Sequence, residues 1–310
     1  MDKIPVYIFS GLLDSGKTTS IKSTLYDERF NEGEKSLIVS MEDGDTKFDE
    51  RFLKKTNCQL VELDSLKEFT IEKMKELDKK YNPDRVFIEL NGTDDDKLLY
   101  QQGFYDRWDI AQHLVFIDAS TFKMFVTNMK QFIYNHVFHA DLCVFNRCDN
   151  QDKIFLRNNI KGINPKLQVL YENTDGTVTN KIDQDLFDVS KPINISDDDF
   201  GLWYMDQLDN PEKYDKATIT LKLRYIEPNQ EYSNVVYMGR NAMVCCSNDV
   251  APVVVCIAGI KQEEIEINKF YTVTGRVHVV NADNGEKTCV LYSTGYELSK
   301  PMEDELVYFN

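Results

Sequence analysis

Residues 11–19 read Gly-Leu-Leu-Asp-Ser-Gly-Lys-Thr-Thr, a G-x-x-x-x-G-K-T string. It follows the apolar run Val6-Tyr7-Ile8-Phe9 and opens a stretch with helical character from about Thr18 to Tyr26. Strand, glycine-rich turn, helix is the order a phosphate-binding loop requires. The turn points backbone N–H groups inward around an anion, and the helix N-terminus adds its positive dipole. On this reading Gly11, Asp14, Ser15, Gly16, Lys17, Thr18 and Thr19 hold the phosphates of a nucleotide. Lys17 reaches the β- and γ-phosphates, and the Thr18 hydroxyl ligates Mg²⁺.

Working outward, short apolar runs recur at Ser36–Val39, Val86–Glu89, His113–Ile117, Leu142–Phe145 and Leu167–Leu170. Between them lie helical patterns; Leu66, Phe69, Ile71, Met74 and Leu77 fall near a 3.6-residue period. Buried strands alternating with helices predict an α/β fold, a P-loop NTPase with a mostly parallel sheet covered by helices on both faces. The texture then changes. Asp197-Asp198-Asp199 and Asn210-Pro211-Glu212 bound a polar stretch, and from Ala217 the residues alternate, as in Thr218-Ile219-Thr220-Leu221-Lys222-Leu223. Turn signals at Pro228-Asn229 and Asp283-Asn284-Gly285 separate such runs, which predicts a small all-β unit, barrel or sandwich. The expected organisation is a P-loop domain over 1–195, a linker or excursion over 196–216, and a β-rich domain over 217–310.

The 310 residues carry 52 Asp and Glu against 36 Lys and Arg, a net charge of −16 that argues against nucleic acid or an anionic membrane as main partner. The N-terminus lacks the basic and apolar regions of a signal peptide. The longest apolar run, Ala251 to Ile260, is far shorter than a bilayer span and contains Pro and Gly. A cytoplasmic protein that does not itself span a membrane is expected. Seven scattered Cys are then core thiols or metal ligands, not a disulfide framework.

Two further strings speak to the nucleotide. Asn146-Arg147-Cys148-Asp149 stands where GTPases carry N-K-x-D. There the Asp carboxylate accepts from the guanine N1–H and 2-amino group, a donor pair adenine lacks. Arg147 replaces the usual Lys; its aliphatic stem can still lie against a base, though the two side chains differ in shape and hydration. Glu89-Leu90-Asn91-Gly92 ends a strand with an acid that can stand near Mg²⁺, followed by a glycine whose amide can meet the γ-phosphate without a Cβ in the way.

Together these pieces resemble the CobW family of P-loop GTPases, relatives of the metallochaperones of urease and hydrogenase, over roughly residues 4–175. That family opens with G-F-L-G-S-G-K-T-T, close to Gly11–Thr19. Its N-E-x-G matches Met41-Glu42-Asp43-Gly44, with Asp49 at a following acidic position. Its r-P-d-x-v-x-I-E-x-x-G matches Pro83 through Gly92, and its N-P after the base motif matches Asn164-Pro165. The resemblance implies GTP and GDP as ligands, slow hydrolysis of GTP to GDP and phosphate with Lys17, Glu42 and Glu89 in catalytic roles, Mg²⁺ held by Thr18 with Glu42 or Glu89, and a link to metal trafficking or homeostasis. The family's C-x-C-C thiolates have no counterpart here. Cys58 is single and precedes the expected place, and Glu42 and Asp45 are oxygen donors that favour harder ions than Zn²⁺.

The tail resembles the C-terminal domain of an uncharacterised family of predicted membrane proteins. The match rests on Tyr237-Met238-Gly239-Arg240, Cys245-Cys246, Asp249, Pro252 and Thr272-Val273-Thr274-Gly275. Cys245 and Cys246 would face opposite sides of a regular strand, so core thiols are the first reading; the alternative is a bulge that turns both to one transition-metal ion such as Zn²⁺, or a redox role, with Cys256 or Cys289 joining one of them. His136 and His139 stand three apart on a helical stretch, one possible ligand pair. Asp94-Asp95-Asp96 reads as a solvated loop and helix start. The leading function is a GTPase whose nucleotide state is read by a metal client or partner. The alternative is a nucleotide-stabilised module whose tail docks to a permease or metal-handling partner. A small-metabolite kinase is the third reading, disfavoured by the N-R-x-D element.

Overall fold

The computed structural model describes residues 3–182, 186–243, 250–282, 285–302 and 305–307. The chain divides into two compact units, Met1–Lys181 and Ile182–Asn310.

The first unit is built on strands β1 (Ile4–Ser10), β2 (Ser36–Ser40), β3 (Cys58–Glu62), β4 (Arg85–Glu89), β5 (Trp108–Asp118), β6 (Leu142–Asn146), β7 (Gln168–Glu172) and β8 (Val178–Thr179), ordered β3-β2-β4-β1-β5-β6-β7-β8. All pairings are parallel except β7–β8. Successive β1 side chains go to opposite faces. Val6 and Ile8 join Leu37, Val39, Val86 and Ile88 on one side, whereas Phe9 joins Ile38, Phe87 and Phe116 on the other. Burial on both faces is why these strands read as unbroken apolar runs.

Helix α1 (Lys17–Tyr26) seats Ile21 and Leu25, four residues apart, against the second of those faces. Helix α2 (Glu50–Lys55) starts where the Asp49 carboxylate accepts from the Phe52 amide. Helix α3 (Ile71–Tyr81) starts at Thr70, which caps Lys73 N–H and breaks the expected 66–80 run; Leu66–Glu68 is a separate 3₁₀ turn. Helices α4 (Lys97–Gln102), α5 (Ala119–Asn128), α6 (Lys130–Val137) and α7 (Lys153–Lys161) complete the unit. The chain fills β2, β3 and β4 on one side of β1, then β5 to β8 on the other. The C-terminal end of β1 is therefore a topological switch point, where open α/β sheets place ligands. Ser10, Ser40, Glu89, Asp118 and Asn146 each end a strand at that edge.

In the second unit β10 (Thr218–Pro228), β11 (Val235–Met243), β12 (Val250–Ala258), β13 (Phe270–Asn281) and β14 (Lys287–Ser299) close a ring in the order β10-β11-β12-β14-β13-β10. The pair β12–β14 is parallel and the other four are antiparallel. This is a barrel, not a sandwich, with the strand order of a five-stranded Greek-key OB fold. Two short strands, β9 (Ile193–Asn194) and β15 (Leu306–Val307), add in parallel to β10 and β11. Ile219, Leu221, Leu223 and Tyr225 of β10 point inward at every second position.

The stretch expected as a linker over 196–216 is structured. Helix α8 (Phe200–Asp209) contributes Phe200, Trp203 and Met205 to the barrel's own core, and Tyr214 and Ala217 follow. Ahead of it, the buried Arg240 guanidinium donates to the Asp197 carboxylate at 2.7 Å, to the Asp197 carbonyl and to the Lys222 carbonyl, and lies 4.5 Å from the Phe200 ring. Asp197, in a stretch expected to be a linker or excursion, thus neutralises a buried cation. Cys245, Cys246 and the turn at Asp283-Asn284 lie outside the described residues. Among the described residues no helix is long and apolar enough to cross a membrane.

Candidate nucleotide-binding site

The loop between β1 and α1 is shaped by three left-handed residues, Gly11, Asp14 and Gly16, with φ of 129°, 59° and 98°. A side chain on Gly11 would strike the Phe116 carbonyl at 2.1 Å, so only glycine fits there. Lys17, 3% exposed, turns back into the loop. Its ammonium donates to the Gly11 carbonyl at 2.7 Å and the Leu12 carbonyl at 2.8 Å, and pairs with Glu42 Oε2 at 2.7 Å. Glu42 Oε2 also accepts from the Gly92 amide at 3.2 Å, and Oε1 from Asn91 Nδ2 at 3.4 Å.

Thr18 lies beside a different acid. Its hydroxyl donates to Glu89 Oε1 at 2.5 Å, and Ser40 donates to Glu89 Oε2 at the same distance. Glu89 is 1% exposed, and burial raises its pKa against the pull of those two hydroxyls. A buried carboxylate flanked by two hydroxyl oxygens is a hard donor set of the kind that suits Mg²⁺. Gly92 packs directly on the loop, for a Cβ there would lie 2.5 Å from Leu13 N and 2.9 Å from the Leu12 carbonyl carbon.

The base-reading string joins the same edge. Asn146 Nδ2 donates to the Ser15 carbonyl at 2.6 Å, tying β6 to the phosphate loop. Arg147, itself left-handed at φ 54°, donates to Asp118 Oδ2 at 2.7 Å. Asp149 accepts from Thr174 N–H at 2.9 Å on one oxygen and from the Thr174 hydroxyl at 3.0 Å on the other. The Thr174 amide is the main cause of its lowered pKa. Each carboxylate oxygen has two acceptor sites, so Thr174 orients the group and leaves one site per oxygen for a ligand. Ser15 is buried with its hydroxyl unpartnered, whereas Asp14 and Thr19 are exposed.

Ser40, Asp118 and Thr174 were missed in the sequence. Ser40 and Asp118 could have been found as the polar residues ending strands beside β1, but Thr174 sits in the β7–β8 loop without a motif.

Two other expectations are corrected, the His136–His139 pair and the solvated Asp96. His136 and His139 do not form a pair on one helix face. His136 stands in the last turn of α6 with Nε2 3.1 Å from the Gly92 carbonyl, and His139, beyond the helix, meets Asp96 Oδ1 at 3.0 Å. Asp96 is not solvated; it is 1% exposed, and burial lifts its pKa to about 6. Burial lowers His136 to about 4 and His113 to about 3. Cys58 is buried in β3, accepts from the Thr56 hydroxyl, and has its thiol pKa raised by burial, unlike a poised ligand. Burial also raises Cys256, and raises Cys289 to about 11. Among the described residues no three His, Cys, Asp or Glu side chains gather as a metal site.

With this geometry in place, residues 5–171 match the family described as CobW/HypB/UreG, nucleotide-binding domain. The chain belongs to that family. Residues 171–309 match the DUF1980 C-terminal domain. Among solved structures, the CobW/HypB/UreG chain is similar to hydrogenase maturation factor HypB from Archaeoglobus fulgidus, at 18% identity over 56% of this chain and 82% of that one, TM-score 0.41. It is similar to a Zn(II)-bound triple mutant of the YjiA GTPase at 16% identity, over 98% of this chain and 92% of that one, TM-score 0.44. It is also similar to HypB from Helicobacter pylori in complex with nickel, at 14% identity over 56% and 80%, TM-score 0.37. No curated protein matches. The OB-type barrel is strongly acidic. Residues 182–310 hold 22 Asp and Glu against 11 Lys and Arg, which repels a phosphate backbone.

Proposed function

We propose that the first unit binds guanine nucleotide and hydrolyses GTP to GDP and phosphate slowly, and that its nucleotide state is coupled to metal handling through a client or partner protein. The observation that carries this reading is the convergence of three groups on one sheet edge: Lys17 in the phosphate loop, Thr18 against the buried Glu89, and Asp149 oriented by Thr174. Loop amides and Lys17 bind the phosphates. Asp149 accepts from the guanine N1–H and 2-amino group. Thr18 and Glu89 would hold Mg²⁺, which would neutralise charge on the phosphate oxygens. Transfer of the γ-phosphoryl group to water is then a matter of positioning and electrostatic stabilisation by Lys17 and the Gly92 amide.

The coupling to metal is supported by family membership and not by a thiolate set in the first unit, so the transition metal is cargo, distinct from Mg²⁺. Titration calorimetry with GDP and ADP, followed by phosphate-release assays with GTP and ATP, tests the proposal. Guanine should be preferred at least roughly tenfold, about 1.4 kcal/mol. Equal affinities, or binding without any phosphate release, would reject a GTPase; the second result would favour a module in which nucleotide only stabilises the fold.

A further inference from the structure

The Lys17 ammonium has three N–H donors, and all three are satisfied inside the site: two by loop carbonyls and the third by Glu42. Glu42 in turn bonds the Gly92 amide. The two groups assigned above to the γ-phosphate are therefore bridged by one carboxylate oxygen. That carboxylate is 6% exposed and lines an open cavity of about 340 Å³ with Leu13, Asn91 and Phe132. We infer that Glu42 is a built-in stand-in for the γ-phosphate, and that it sets the protein's preference between nucleoside triphosphate and diphosphate.

The inference rests on the nucleotide reading above. A γ-phosphate needs the Lys17 ammonium and the Gly92 amide together. It cannot share them with an anion already bonded to both, because like charges in contact repel. Glu42 must leave before a triphosphate can seat. A diphosphate ends one phosphate short of Gly92, so it takes loop amides and part of Lys17 and leaves the Glu42–Gly92 bond standing. Glu42 thus opposes GTP more than GDP. When it yields, the Lys17 pairing and the two bonds to the 91–92 turn break together, so residues 41–45 are released only by the triphosphate. This differs from the Mg²⁺-ligand role expected for Glu42, which would make the residue favour GTP.

Glu42→Gln keeps the shape and removes the charge. Affinities of the full chain for GDP and for a non-hydrolysable GTP analogue, both with Mg²⁺, decide the matter. The expected result is a rise of roughly tenfold in the affinity ratio favouring the triphosphate, as the charge repulsion is removed. An unchanged ratio, or a fall, would overturn the inference. A measurement on the wild-type chain covers the case in which Glu42→Gln fails to fold. Hydrogen exchange over residues 41–45 should speed up with the triphosphate analogue relative to GDP, and equal exchange in the two complexes would overturn the inference. If the wild-type chain binds neither nucleotide, the nucleotide reading itself has failed. If it binds both and the ratio stays put, only the role of Glu42 has.

Discussion

Replacing Gly92 by alanine tests whether the β4 turn and the phosphate loop are packed as one body. A Cβ at position 92 would sit 2.5 Å from Leu13 N, 2.9 Å from the Leu12 carbonyl carbon and 3.0 Å from Leu12 Cα. Ordinary contacts start at roughly 3.5 Å, so the two backbones must part by about an ångström. All three neighbours are main chain, and no rotamer change relieves them. Overpacking of this kind costs about 1–3 kcal/mol. Gly92 lies outside the left-handed region, so alanine returns about 0.4–1 kcal/mol through the unfolded chain, leaving a net loss of roughly 1–2 kcal/mol.

The chain has one tryptophan in each unit, Trp108 and Trp203, which supplies the assay. In a Trp203→Phe background, urea unfolding followed by Trp108 fluorescence reports the first unit by itself. The displaced loop should also lower turnover by about a hundredfold, since an ångström of misplacement at a reacting centre costs that order. A Gly92→Ala protein within roughly 0.5 kcal/mol of its parent, with unchanged triphosphate affinity, would refute the close packing and the role given to this turn.

Lys17→Ala should abolish phosphate release and weaken triphosphate binding strongly, since it removes the loop cation that binds the transferred group; unchanged turnover would show the loop to be non-catalytic. Asp149→Ala should erase the guanine preference with little effect on thermal stability, and Thr174→Val should reduce it part-way by releasing one carboxylate oxygen while the amide still holds the other; both are read by GDP against ADP calorimetry, and an intact preference in Asp149→Ala would exclude base reading at this string. At pH 5 the unfolded chain protonates His113 and His136 while the fold keeps them neutral, whereas Asp96 is protonated only in the fold. These three give a net uptake of one proton on unfolding, so their stability contribution is lost as pH falls below about 6.5, by about 1.4 kcal/mol per unit. Asp96→Asn removes the opposing proton and should steepen that dependence by about the same amount in urea melts between pH 4.5 and 5.5; a parallel curve would show that Asp96 is already ionised there.

The first unit was legible because its strands are buried on both faces and its loops carry chemistry at fixed spacing. Gly11, Lys17, Thr18, Glu89 and Asn146 could be assigned to one sheet edge from the sequence, since the phosphate-loop pattern and the strand ends fix their order along the chain. What could not be read were contacts between loops distant in sequence. Thr174 reaches Asp149 across 25 residues, and Lys17 meets Glu42 across a similar gap, with no periodicity to announce either. Edge strand β3 escaped notice because only Cys58 of its five residues is fully buried, which leaves a polar pattern. The segment before β10 misled for a related reason. Asp197 looks like a linker residue until the buried Arg240 it serves is known.

That last ion pair bears on where the gene could be cut. A barrel started at Ala217 would retain all five ring strands yet lack β9, Asp197 and the three core side chains of α8. Arg240, 3% exposed, would keep its charge and lose its counter-ion, a state that typically costs 3–5 kcal/mol. The portable module is thus the barrel together with its preceding helix and strap. A fusion joint that transfers this module between proteins is best placed upstream of Ile193, and one placed inside the acidic run would separate a cation from the aspartate encoded 43 residues before it.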